Sequence, residues 1–474
     1  MNDRRGVFKL QHKYLDQYTC VNAQFNWFLA SIRYSKNNMA AYNSQKTYKV
    51  IEFYSGVGGM HYALLLSKIS CEVVAAVDIN EVANKVYRYN FPDINLLQRN
   101  IQSVTLKDFS QWNADIFLMS PPCQPFTRVG LKGDKNDPRT SSFLYLLQTL
   151  PKLSKKPKYL LVENVKGFET SDTRNELVDT LKKCNYKYKE FLLSPKDLGI
   201  PNQRLRYFLI AKLDSSNFHG DIQFNNGDTL LMHEISSEDS CHHRHGIGFA
   251  AGCMDRMKDS DETTSKIGDS TIIGDSFHII NDSNCRNDIA HSDTGHCQEI
   301  DLVEEIQYFL QNQKDKSFIH MSDLLFGSRS IKDYLENLSD VEFGDYLVPE
   351  KILVRFGKVM DIVRDSDERT CCFTKAYGHY VEGTGSFLQT NPSVTKHWAF
   401  EHQEENEQTI SRLRQLCLRY FTPREITNFH HFPHDFTFPS DVSRKQQYRL
   451  LGNSLNACVV AVLLRYIVHS QNTT

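Results

Sequence analysis

Three things are scarce in this sequence. The first is charge of one sign. The 474 residues carry 55 Lys/Arg against 57 Asp/Glu, a net charge of −2, so no overall basicity announces a polyanionic partner. The second is patterned cysteine. Twelve cysteines are scattered with no CxxC pair, which argues against a disulfide framework and fits reduced thiols in an intracellular compartment. The third is a long apolar run. Met1–Arg5 leads into no apolar segment, so no secretory signal is expected. The run Ala457–Leu464 stops at Arg465, short of the roughly 20 residues that span a bilayer. It reads as a buried helix, and no membrane partner is expected. The expected location is the cytoplasm, with the nucleus as a second compartment.

What is present is a chain 40% hydrophobic, long enough for a large core and two or three domains. Residues 1–46 are polar. Over residues 1–50, eight Lys/Arg face two Asp, interleaved with Tyr14, Tyr18, Phe25, Trp27 and Phe28. Such a mix can contact RNA, but a solvated extension is the preferred reading. From Tyr48 the pattern turns α/β. Apolar strands at Lys49–Phe53, Glu72–Val77, Ile116–Met119, Tyr159–Val162 and Tyr207–Ala211 alternate with helices such as Met60–Leu66 and Glu81–Tyr89. That alternation predicts a doubly wound, mostly parallel sheet. Residues 221–300 hold 15 Asp/Glu against 5 Lys/Arg, with much Ser, Asn and Gly, and read as a disordered acidic insertion over 224–300. Its Cys241, His242, His243, His245, Cys253, Cys285, His296 and Cys297 fit no common zinc spacing, so no metal is expected.

Four motifs carry chemistry. Ser120–Arg128 sets Cys123 between prolines, just past a strand. Proline fixes φ, so the loop is stiff, and a rigid loop at a strand's end is where an α/β enzyme presents a nucleophile. Glu52–Met60 is a glycine-rich strand-to-helix turn, and Asp78 ends the next strand. Together they suit a nucleoside ligand, with the carboxylate on the ribose hydroxyls. The adjacent Gly58 and Gly59 depart from GxGxxG, which weighs against a dinucleotide. Glu163 follows a strand and can donate or accept a proton. Alternation within a strand puts Arg204 and Arg206 on one face, suited to a phosphate or carbonyl.

In chain order, Phe53-x-x-Gly56-x-Gly58-Gly59, Pro121-Pro122-Cys123-Gln124, Glu163-Asn164-Val165, Gln203-Arg204-x-Arg206 and Gly452-Asn453-Ser454 resemble the cytosine-C5 methyltransferases. The blocks Cys372–Ser386, Arg419–Ile426 and Gln447–Asn456 narrow the resemblance to the eukaryotic tRNA(Asp) branch, the DNA-methyltransferase-like (type 2) enzymes of cytosine 38 in the anticodon loop. The resemblance implies a class I, Rossmann-like methyltransferase fold. The catalytic domain would cover 47–223 and return over 421–474, with a smaller target-recognition domain over 301–420. It implies S-adenosyl-L-methionine as cofactor and tRNA as partner, with DNA as a second candidate; nothing in the sequence demands more than a monomer. Cys123 would attack C6 of cytosine while Glu163 bonds N3 and the exocyclic amine. Arg204 and Arg206 would hold the base carbonyl, a phosphate and the Cys123 loop. Phe53, Gly56, Val57, Gly58 and Gly59 would line the methionine and ribose, Asp78 the ribose hydroxyls, and Ile79 the adenine. Pro121, Asn453 and Ser454 would complete that site. Asn100, before Ile101, stands where many DNA enzymes have an acid at the adenine edge.

The catalytic motifs alone do not separate RNA from DNA as substrate, so a DNA cytosine-C5 methyltransferase is the main alternative. A catalytically weak RNA-binding protein of the same fold is a further one. A nicotinamide oxidoreductase is disfavoured by the adjacent glycines and the Pro-Pro-Cys loop.

Overall fold

The computed structural model describes residues 46–122, 137–214, 229–230, 329–401 and 407–469. Cys123, residues 1–45 of the N-terminal extension, and the Cys/His cluster of the acidic segment lie outside the described residues.

The main sheet has eight strands: β1 (Tyr48–Phe53), β2 (Cys71–Asp78), β3 (Leu96–Gln98), β4 (Ile116–Met119), β5 (Tyr159–Val165), β6 (Tyr186–Leu193), β7 (Arg206–Leu213) and β8 (Thr229–Leu230). Their order is β3-β2-β1-β4-β5-β7-β6-β8. Every pairing is parallel except those of β7, which runs antiparallel to both β5 and β6. This is the doubly wound class I fold expected above. The reversal matters for the site. It brings the first residue of β7, Arg206, opposite Val165 at the carboxyl end of β5. β8 falls within the segment expected to be disordered insertion, so ordered pairing extends past residue 224.

Helices α1 (Gly59–Ser67), α2 (Glu81–Asn90), α3 (Leu106–Trp112), α4 (Ser141–Thr149) and α5 (Asp172–Lys183) connect the strands. Short polar side chains start three of them where backbone N–H groups lack partners. Asn80 accepts from Ala83 N at α2, Thr105 and Asp108 form a capping box at α3, and Ser171 accepts from Arg174 N at α5. The strands are buried on both faces, so their sequences are nearly continuous apolar runs. β4, Ile-Phe-Leu-Met, is buried throughout. Alternation along β1 sends Val50 into one core layer with α1, and Ile51 and Phe53 into the other with Phe143 of α4 and Leu177 of α5.

The later segment supplies α6 (Asp340–Tyr346), α7 (Glu350–Phe356), α8 (Lys396–Phe400) and α9 (Glu407–Gln415). A second sheet joins β9 (Asp361–Val363), β10 (Ser386–Gln389) and β11 (Leu418–Tyr420) in the order β11-β10-β9. It has a core of its own around Leu353, Phe387 and Leu418. Ile331, Tyr334, Phe373 and Tyr377 instead pack into the layer under the main sheet. The chain ends in α10 (Pro423–Phe429), α11 (Arg444–Gly452) and α12 (Ala457–His469). The apolar run of α12 is buried in that layer, as expected for a core helix.

A buried ion pair ties the second sheet to α10, whose Ile426 and Phe429 pack in the layer under the main sheet. Arg419 on β11 donates to both carboxylate oxygens of Glu425 on α10, at 2.8 and 2.7 Å. Both side chains are almost wholly buried, at 4% and 0% exposure. Removing one partner of such a pair strands a buried charge, at a cost of about 3–5 kcal/mol. Glu425 keeps N–H bonds from Glu336 and Thr422, so Arg419→Met is expected at the lower end, about 3 kcal/mol by equilibrium denaturation. A loss below about 0.5 kcal/mol would contradict this account of the junction.

Candidate active site

The carboxyl ends of β1, β2, β4 and β5 share one edge of the sheet, where α/β folds bind ligands. At β1 the chain turns sharply. Tyr54 adopts φ 59°, and Tyr54 and Ser55 both donate to Val77 O, at 2.8 and 3.3 Å. Gly56 and Gly58 follow at φ 55° and 92°, conformations that glycine adopts without strain. Gly56 N donates to Asp78 Oδ2 at 2.8 Å and Asn80 N to Oδ1 at 2.7 Å, so the carboxylate ties the glycine turn to the end of β2. Burial raises the pKa of Asp78, and these N–H bonds oppose it. A Cβ on Gly59 would lie 3.1 Å from Leu455 Cγ and 3.3 Å from Ser454 Oγ. The last motif therefore packs directly on the first.

Around this turn, Phe53 and Val57 are buried and Ile79 is 69% exposed. Asn100 caps a short helical turn, its Oδ1 accepting from Gln102 N at 3.0 Å, and the next residue, Ile101, is buried. Asn453 is exposed and Ser454 half-buried.

Two bonds fix the start of the Cys123 loop. Ser120 Oγ donates to Tyr54 O at 3.1 Å, and Asn164 Nδ2 to Pro121 O at 3.4 Å. Glu163 and Asn164 lie within β5 rather than after it. The Glu163 side chain is 12% exposed, and its Oε1 is 3.5 Å from Arg206 Nε. Burial raises the Glu163 pKa, with Arg206 and Arg204 opposing. A carboxyl so placed is suited to holding a proton.

The two arginines differ from expectation. β7 begins at Arg206, so Arg204 precedes the strand and the shared-face argument does not apply. Arg204 is buried, and its guanidinium serves the protein itself. It donates to Phe373 O and Gly452 O, each at 3.2 Å, and to Ser454 O, with Cys372 Sγ at 3.3 Å. Arg206 Nη2 lies 3.6 Å from the same sulfur. Burial alone would raise the Cys372 thiol, yet the two guanidiniums carry it below its usual value. Neither Cys372 nor Asn164 was singled out as a site residue by sequence. Their signal was position alone, one opening a motif block and the other inside the Glu-Asn-Val motif.

A glycine turn tied to a carboxylate, a proline-led loop anchored beside it, and a buried Glu facing Arg form one constellation. The C-5 cytosine-specific DNA methylase family model matches residues 48–469. The chain belongs to the cytosine-C5 methyltransferase family. Within it, the chain is 44% identical over 421 residues to a human protein named tRNA (cytosine(38)-C(5))-methyltransferase, covering 88% of this chain and 98% of that one. A Dictyostelium discoideum relative named DNA (cytosine-5)-methyltransferase is 35% identical over 425 residues, covering 89% and 94%. A solved Dnmt2 mutant from Spodoptera frugiperda superposes with TM-score 0.62 at 37% identity, covering 88% and 98%.

The family's methyl donor is S-adenosylmethionine, and the residues present fit it. The glycine turn leaves backbone approachable, the Asp78 carboxylate stands at the strand end, and Ser55 Oγ is buried without a partner among the described residues.

Removing the Asn164 amide frees Pro121 without touching the glycine turn. Asn164→Ala is expected to lower the methyltransferase's kcat roughly tenfold, about 1.4 kcal/mol, with cofactor affinity unchanged. An equal loss in both would show that Asn164 supports the whole edge rather than the loop.

Proposed function

We propose that this chain methylates C5 of cytosine in RNA, at cytosine 38 in the anticodon loop of tRNA(Asp), through a covalent bond between Cys123 and C6. The observation that carries this is Glu163, buried on β5 with its carboxyl 3.5 Å from Arg206 Nε, next in sequence to the residue that anchors the start of the Cys123 loop. The names of the relatives support tRNA as the substrate class.

S-Adenosylmethionine supplies an electrophilic methyl group when bound. Phe53, Gly56, Val57, Gly58, Gly59, Asp78, Ile79, Asn100, Ile101, Pro121, Asn453 and Ser454 are the residues that would hold it, with Asp78 on the ribose hydroxyls. C5 of a neutral pyrimidine is a poor nucleophile, so covalent activation is needed. The Cys123 thiolate adds to C6 while Glu163 holds a proton at N3, and electron density rises at C5. Transfer would leave S-adenosylhomocysteine; the C5 proton then passes to water, and the C6–S bond breaks to restore the aromatic ring and the Cys123 thiolate. Arg206 orients Glu163. Arg204 acts through the protein by fixing the Cys372 and Ser454 segments. The base must leave its stack, which is easier in a loop than in a duplex. Residues 301–420 would then read the tRNA, with the chain acting as a monomer in the cytoplasm and nucleus.

The test uses methyl-labelled S-adenosylmethionine with tRNA(Asp) transcript, total tRNA and duplex DNA. Label is expected in tRNA and absent with Cys123→Ala, which keeps its cofactor affinity. Label mainly in DNA would favour the reading suggested by the Dictyostelium relative's name. Asp78→Ala is expected to weaken cofactor binding by about 1.5–3 kcal/mol, one charged hydrogen-bond pair, by calorimetric titration.

A further inference from the structure

One buried acid has no part in this chemistry. Glu52 on β1 is fully buried, on the opposite face of the strand from Phe53. Tyr87 Oη on α2 donates to its Oε2 at 2.6 Å, and His61 Nδ1 on α1 lies 2.8 Å from the same hydroxyl. The single hydroxyl proton goes to Glu52, so Nδ1 carries the hydrogen of the second bond. The His61 ring stacks on Phe91 with centroids 3.8 Å apart and planes within 3°. Phe91 in turn sits 2.8 Å from where a Cβ on Gly58 would stand. The chain Glu52–Tyr87–His61–Phe91 therefore runs from β1 to the underside of the glycine turn. Glu52 Oε1 meets no side-chain partner among the described residues, and the His61 backbone N–H faces the carboxyl.

We propose that Glu52, acting through Tyr87 and His61, is a positioning residue for the glycine turn, and that it releases its proton when the cationic methyl donor occupies that turn. This rests on the reading that the turn holds S-adenosylmethionine. The donor carries a sulfonium and an ammonium against one carboxylate, so it brings a net positive charge into a region of low dielectric. A nearby cation favours the ionised carboxyl. On binding, the Glu52 O–H bond breaks and the proton passes to the buffer. The carboxylate keeps the Tyr87 bond, which becomes charge-assisted and tighter.

The protonation states agree. Burial raises Glu52 to about 8 and lowers His61 to about 4. Cys71 on β2 is raised to about 11, by burial and then by Glu52. Tyr62 on α1 and Tyr87 are both raised by burial, and Asp435 and Arg424 lie beyond Tyr62. Glu52 is thus the group in this cluster that titrates just above neutrality. In the donor-free protein the folded state holds a proton that the unfolded chain releases between pH 4.5 and about 8. Glu52's own contribution to stability should be lost as pH rises through that window, while His61, lowered by burial, contributes in the opposite sense below its ordinary value; Glu52→Gln should remove the Glu52 contribution alone.

The experiment is calorimetric titration of the full chain with S-adenosylmethionine and S-adenosylhomocysteine at neutral pH, in buffers of differing ionisation enthalpy. Wild type should release a large fraction of a proton with S-adenosylmethionine and less with the uncharged thioether. Glu52→Gln should abolish the release. Tyr87→Phe keeps the ring against Phe91 and should weaken affinity several-fold, with kcat at saturating donor unchanged. Buffer-independent heats in wild type, or release unchanged in Glu52→Gln, would overturn the proposal. Asp78→Ala separates the two ideas. If it loses affinity while Glu52→Gln still releases the proton, the proposal alone fails. If both variants bind and release as wild type, the reading of the turn fails with it.

Discussion

The guanidinium of Arg204 is the interaction on which the site's assembly depends. It is buried and reaches the carbonyls of Phe373, Gly452 and Ser454, and the sulfur of Cys372. These acceptors come from two segments distant in sequence, and a planar, always-charged fork can serve both at once. Lysine offers one point charge in its place and could not satisfy the same set. The Glu163–Arg206 pair and the packing of Ser454 on Gly59 both lie downstream of this staple.

Electrostatics then divides the labour. Arg206 stands between two acidic groups, Glu163 on one side and the Cys372 thiol on the other. A thiol carried below its usual value takes up part of the guanidinium charge. Burial raises the Glu163 carboxyl, and both guanidiniums oppose that rise. The same two arginines thus act on both groups, drawing the Cys372 thiol down and holding back the rise of the Glu163 carboxyl.

Much of the main sheet was legible because its strands are apolar runs: the parallel β1, β2, β4 and β5 and the antiparallel β7 were all read from sequence. β6 was not, because Tyr186-Lys187-Tyr188-Lys189-Glu190 looks like a polar surface segment. Lys189 is buried instead, with Nζ donating to Tyr466 Oη at 2.7 Å, and Glu190 pairs with Arg174 and Tyr207. Such pairings are set by tertiary contacts that no local pattern encodes. The three short strands of the second sheet are too brief for a periodicity signal. In the site, the glycine turn and Asp78 were readable because they act through backbone shape and strand ends. Arg204 was misplaced for a related reason: alternation was assumed to begin two residues before the strand does.

The Arg204–Ser454 bond joins residues 250 positions apart. A growing chain emerges from the ribosome with its N-terminal part first. The glycine turn, the Cys123 loop, Glu163 and Arg206 are all synthesised long before Gly452–Ser454 can dock against them. Until then Arg204 lacks two of its carbonyl partners, and Leu455 and Ser454 are not yet packed against Gly59. The nascent protein therefore carries the glycine turn, Glu163 and Arg206 through most of its synthesis without the frame that joins them, and acquires that frame only as the Gly452–Ser454 segment folds into place.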